Sequence, residues 1–264
     1  MRGSHSGPAA DGRSYDAGVN TDSTYPEHLD GSMRLYEARP DGEVGPGAGG
    51  AAKAALIVIQ EAFGVNDHIE DVTRRFADAG YHAVAPDLFH RAGGGTAPYD
   101  DFAKVVPLFD GLDSDEKLLA DVDAARRHLH AAGWADRQIG IVGFCFGGRL
   151  SLLVCLRRAI GAGVGFYGGG IVNARFPMFP AFVDEVPTLA VPWLGLFGDQ
   201  DGSIPVEDVE QLRAALADAS AETEIVRYAD ADHGFHCDAR DSYDPDAAHD
   251  AWFRTLAWFD RHLT

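Results

Sequence analysis

The chain has 264 residues, 46% hydrophobic and 24% charged, an ordinary globular composition that excludes disorder throughout. At this length a single α/β domain buries roughly three quarters of its unfolded surface, so no disulfide or metal staple is required. Lysine and arginine number 22 against 41 aspartates and glutamates, and the resulting charge of −19 repels phosphate backbones and anionic lipid. Nucleic acid and membrane surfaces are therefore not expected as partners.

Residues 1–24 begin MRGSHSGPAADGRS, which resembles an expression tag and lacks the apolar stretch of a secretory signal. They are set aside as a tag or disordered segment, with one domain expected over 25–264. A strand is expected over 33–38, then a Gly/Pro-rich loop over 41–50. The continuous apolar run at 54–60 has the pattern of a strand buried on both faces of a parallel sheet. Helical periodicity follows over 69–79, closed by Gly80, and 81–85 reads as the next strand, stopped by Pro86.

Ser114 opens a long helix to about residue 132. Strands are expected at 138–142, 163–167, 193–197 and 222–228, and helices at 146–158, 205–217 and 245–262. Strands alternating with helices predict a mostly parallel sheet covered on both faces. No run approaches the roughly 18 apolar residues of a membrane span. Three cysteines without C-x-x-C spacing point to free thiols and a reducing compartment, the cytoplasm.

Gly143-Phe144-Cys145-Phe146-Gly147-Gly148 stands between an apolar strand and a helix, the context of a nucleophile elbow with cysteine in place of serine. A thiol at a helix N-terminus feels the dipole and free N–H groups, which favour thiolate. A hydrolase of this kind needs an acid and then a histidine after later strands. Asp201 follows the strand at 193–197, with Asp199 as competitor, and His233 follows the strand at 222–228. His236, Cys237 and Asp238 are adjacent in a loop and are not expected to converge on a metal.

These features resemble the dienelactone hydrolase family, cysteine enzymes of the α/β-hydrolase fold. The resemblance runs from the first strand to the C-terminus. It rests on Gln60-Glu61-Ala62-Phe63-Gly64-Val65-Asn66, Pro86-Asp87-Leu88-Phe89, GFCFGG at 143–148, Phe166-Tyr167-Gly168-Gly169, the GDQD turn and His233-Gly234-Phe235. It implies that Glu61 takes the thiol proton as substrate binds, and that the backbone N–H groups of Ala62 and Phe146 form an oxyanion hole. It also implies that Arg91 binds a substrate carboxylate. The family's second arginine, four residues after the histidine, is Cys237 here, and Arg240 is displaced in sequence.

The stretch between Gly168 and Trp193 is extended relative to the family pattern. Its Phe176, Met178, Phe179 and Phe182 are expected to cover the site. The expected activity is cofactor-free and metal-free hydrolysis of a small ester or lactone, by a monomer or weak homo-oligomer. A non-catalytic binding or thiol redox-sensing module is the alternative. Residues 229–250 hold seven aspartates and one arginine beside His233. That charge is expected to raise the histidine's pKa and to favour a less charged ester over an anionic lactone.

Overall fold

A computed structural model describes residues 19–24, 33–41 and 52–264. The eight strands among them are β1 (Val19–Thr24), β2 (Leu35–Pro40), β3 (Ala54–Ile59), β4 (Tyr81–Pro86), β5 (Ile139–Phe144), β6 (Ala162–Phe166), β7 (Trp193–Gly198) and β8 (Thr223–Tyr228). They form one sheet in the order β1-β2-β4-β3-β5-β6-β7-β8. β2 pairs antiparallel with both β1 and β4, and every pair from β4 to β8 is parallel. This is the α/β-hydrolase fold.

Five α-helices among the described residues cover the sheet: α1 (Asp67–Asp78), α2 (Asp115–Ala131), α3 (Phe146–Arg157), α4 (Val206–Leu216) and α5 (Pro245–His262). The side chain of Asn66 accepts the Ile69 N–H at 3.2 Å, so α1 begins ahead of the first apolar residue of its stripe. That stripe, Ile69, Val72 and Phe76, is fully buried, which stabilises by about 2 kcal/mol per side chain. Phe76 meets Trp252 and Phe259, locking α1 to α5. Asp123 of α2 holds Arg158 at the end of α3. Among the described residues, no helix is long and apolar enough to cross a membrane.

The expected alternation of strands and helices is present, with bounds shifted by one or two residues. The N-terminal boundary needs correction. Residues 19–24, set aside with the tag, form β1 and pair with β2 along its whole length. Residues 1–18 and most of the 41–50 loop lie outside the described residues.

Strand order reverses at β3: β4 lies to one side and β5 to the other, which opens a crevice at the carboxyl ends. Ile59 pairs with Gly143, so Glu61 and Cys145, each two residues further on, leave the sheet side by side. Gly198 pairs with Tyr228, which sends the Asp201 and His233 loops out together at the neighbouring edge.

Candidate active site

Cys145 occupies the turn between β5 and α3 with φ 54° and ψ −114°, a left-handed backbone that an L side chain rarely adopts. Such strain costs about 1–3 kcal/mol and persists only where the surroundings impose it. Here the Cys145 N–H is held by the Phe166 carbonyl at 3.0 Å, and the Gly148 N–H bonds back to the Cys145 carbonyl at 2.9 Å. The turn is so tight that a Cβ on Gly143 would lie 1.9 Å from the Gly147 carbonyl oxygen. The sulfur is left partly exposed at the N-terminus of α3.

Asp201, buried, accepts a hydrogen bond from His233 Nδ1 at 2.6 Å through Oδ2. Its other oxygen accepts from the Ser203 hydroxyl at 2.5 Å and the Ser203 N–H at 2.8 Å. Burial opposes a charge on Asp201, but these donors outweigh it and hold the carboxyl below its ordinary value. Asp199 turns away to a two-point pair with Arg227 at 2.7 Å.

Burial likewise opposes a charge on His233, yet the Cys145 sulfur and the Asp201 carboxylate raise its pKa to about 10. The direction matches the expectation from the acidic segment, but the cause is different. Asp238 faces His68, Asp244 caps α5, and Asp250 binds Tyr228 and Arg254. These three aspartates are thus engaged elsewhere, while Asp232 accepts the backbone N–H of His233.

Glu61 is fully buried, and its Oε1 accepts from Arg240 Nη1 at 3.3 Å. The arginine reaches it across Gly234, whose φ is +81°; a Cβ there would lie 2.4 Å from that same nitrogen. Its guanidinium also lies over the rings of Phe63 and Tyr99. Cys237 is buried below, against His68 and Tyr99.

Ala62, Phe146, Cys145, His233, Ser203 and Arg240 converge on one cavity of about 730 Å³. Phe146 is the first residue of α3, so its N–H has no acceptor within the helix. Phe176, Met178 and Phe179 line this cavity as expected of the extended loop, while Phe182 is buried against Arg149.

Arg91 stands apart. It makes a two-point pair with the fully buried Asp121, at 2.5 and 2.6 Å, and is not among the cavity-lining residues. The structure thus turns Arg91 toward Asp121 rather than onto the cavity wall. An uncompensated Asp121 would be costly inside the fold, and satisfying it fixes the arginine.

Three contributors went unread in the sequence. Ser203 orients Asp201, and the fully buried Tyr167 (φ 39°) sets its ring 5.1 Å from that of His233. His68 joins the Glu61 neighbourhood to Asp238 at 3.6 Å. Tyr167 lay within a quoted motif, so its signal was available; Ser203 lay two residues past Asp201, in a turn that gave no cue to its role.

Among the described residues, Glu37, His82 and His128 bring three possible metal donors together. The hydrogen bonds oppose that use. Trp134 Nε1 donates to His82 Nδ1 at 2.9 Å, which places the ring proton on Nε2, where it donates to Glu37 at 2.5 Å. Residues 236–238 diverge: His236 is buried among Phe144, Phe166 and Trp252, where burial holds its pKa well below the ordinary value.

Residues 44–263 match the model of the dienelactone hydrolase family. An Escherichia coli (strain K12) protein, provisionally named a carboxymethylenebutenolidase, is 41% identical over 88% of this chain and 83% of its own length. A similarly named protein from Yersinia pestis is 37% identical over 91% of this chain and 88% of its own. The crystal structure of a provisionally named dienelactone hydrolase from Klebsiella pneumoniae superposes with a TM-score of 0.81 at 37% identity, covering 92% of this chain and 99% of that one. The chain is an ester or lactone hydrolase and belongs to the dienelactone hydrolase family.

Proposed function

We propose that the chain hydrolyses its ester or lactone through an acyl-enzyme on Cys145. The observation that carries this reading is the Asp201–His233 bond of 2.6 Å beside a thiol held at a strained helix N-terminus. The Cys145 sulfur attacks the carbonyl carbon, and the N–H groups of Ala62 and Phe146 receive the oxyanion. His233, an imidazolium with its pKa raised to about 10, passes its Nε2 proton to the departing alkoxide, leaving a thioester. The neutral ring then takes a proton from water, the resulting hydroxide displaces the thiolate and releases the acid, and the thiolate regains its proton from Glu61. Asp201 fixes the histidine proton on Nδ1 between transfers, so Nε2 does the shuttling. Glu61, by family resemblance, accepts the thiol proton when substrate arrives.

The names of the relatives denote a butenolide bearing a carboxylate. Arg91 is committed to Asp121, and Arg240, paired with Glu61, is an arginine of the cavity wall whose charge is felt at Cys145. Three free cysteines support a reducing compartment such as the cytoplasm.

The test is Cys145→Ala assayed on p-nitrophenyl butyrate. Turnover is expected to fall by a factor on the order of a thousand with the melting temperature unchanged, and the wild-type protein mixed with substrate to gain the mass of one acyl group. Full turnover by the variant would overturn the mechanism.

A further inference from the structure

We propose that the substrate carries an uncharged, apolar chain of several carbons, received between two aromatic straps at the mouth of the cavity. The inference rests on the ester-hydrolase reading and concerns only what that site selects.

Size is the first ground. A space of about 730 Å³ is in the range that holds drug-sized ligands, and a six-carbon lactone would fill a small part of it. Surface chemistry is the second. Five large hydrophobic side chains are exposed among the described residues, and four of them, Phe102, Val106, Phe176 and Met178, line this one cavity. Phe102 is 61% exposed and Phe176 39%, so their rings face the opening rather than the core. Exposed apolar surface gathered at one mouth marks a place that buries apolar matter.

The straps are built to act together. One runs through residues 102–112 as short 3-10 helices, and the other through residues 169–179. Phe109 of the first meets Phe176 of the second at 5.5 Å between ring centroids, and Phe109 also contacts Phe146. The apolar wall therefore runs from the mouth to the residue whose N–H faces the oxyanion.

Charge is the third ground. Each arginine lining the cavity already has a partner: Arg149 a two-point pair with Asp115, Arg175 the Ser203 carbonyl, and Arg240 Glu61. Asp110 and Asp113 stand on the same wall. A substrate carboxylate would find Arg149 and Arg240 already neutralised by carboxylates and would have to pass the two aspartates, with Arg175, whose bonded partner is a carbonyl, as its countercharge, whereas an apolar group meets no such opposition.

The experiment compares kcat/KM for p-nitrophenyl acetate, p-nitrophenyl hexanoate and the mono-p-nitrophenyl ester of adipic acid, which matches the hexanoate in chain length but ends in a carboxylate. Each methylene moved from water into the cavity is worth about fourfold, so the hexanoate is expected to exceed the other two by roughly tenfold or more. The double variant Phe102→Ala/Phe176→Ala is expected to lower the hexanoate-to-acetate ratio at least threefold, roughly the loss of one such contact. Equal or faster hydrolysis of the adipate ester, or no gain from acetate to hexanoate, overturns the inference. Cys145→Ala separates the two levels: Cys145-dependent turnover that favours the adipate ester removes only this inference, while turnover independent of Cys145 removes the mechanism beneath it.

Discussion

Arg240 and Glu61 meet at 3.3 Å inside the protein, although 179 residues of chain separate them. The pair joins the loop after β3 to the loop after β8, the segments that carry Ala62 and His233. Glu61 is fully buried, so removing the guanidinium strands a carboxylate in a medium that solvates it poorly. Arg240→Ala is expected to cost about 3 kcal/mol in denaturant unfolding at pH 7. Adding Glu61→Gln should restore at least half of that, because the stranded charge is gone. A double-mutant cycle with simply additive losses would show that the two residues are not coupled.

Ser203 gives a second prediction, read in the pH dependence of catalysis. Its hydroxyl donates to Asp201 at 2.5 Å and lies 3.4 Å from His233 Nδ1. Asp201 has a lowered pKa, so its charge is present above the ordinary aspartate value and is lost as pH falls through the lowered one. Ser203→Ala removes one stabilising donor and leaves the Ser203 N–H. Asp201 should then protonate at a higher pH, carrying the acid limb of kcat/KM upward, and the rate at pH 7 should fall about tenfold. Profiles measured from pH 2.5 to 7 decide it: superimposable curves would mean that Ser203 does not orient Asp201.

What could be read from the chain beforehand follows the range of the forces involved. The run at 54–59 is apolar without interruption, and β3 is buried at every position. Cys145, Asp201 and His233 were legible because each lies within a few residues of a strand end, and strand ends fix where the next few residues emerge. β1 was not legible. Its sequence VNTDST is polar and mostly exposed, and it becomes a strand only by pairing with β2. Arg91 matched a motif, but its fate is set by Asp121 on α2, thirty residues away, and no local pattern reports that contact. Arg240 passes so close to Gly234 that a Cβ there would clash with it, and counting four residues from His233 lands on Cys237 instead, so the contact with Glu61 could not be read from spacing.

His68 supplies a prediction for stability. It lies in the first turn of α1, almost wholly buried, with Asp238 at 3.6 Å and the Cys237 thiol beside it. The contact fastens the start of α1 to the loop that carries His233 and Arg240. Burial opposes the imidazolium, but Asp238, Cys237 and Glu61 outweigh it and raise its pKa to about 10. A group whose pKa is raised on folding stabilises fully below its unfolded value, near 6.5, and loses that contribution as pH climbs through the folded value. The stability gap between wild type and His68→Gln should therefore be widest near pH 6 and shrink toward pH 10. At pH 6 an ion pair to a half-exposed partner is worth about 1 kcal/mol, which lowers the melting temperature by roughly 3 °C in a chain of this size. Thermal melts of both proteins at pH 6, 8 and 10 provide the measurement. A gap that stays constant across the series would assign His68 to packing alone, and one that widens with pH would reverse the sign of its charge contribution.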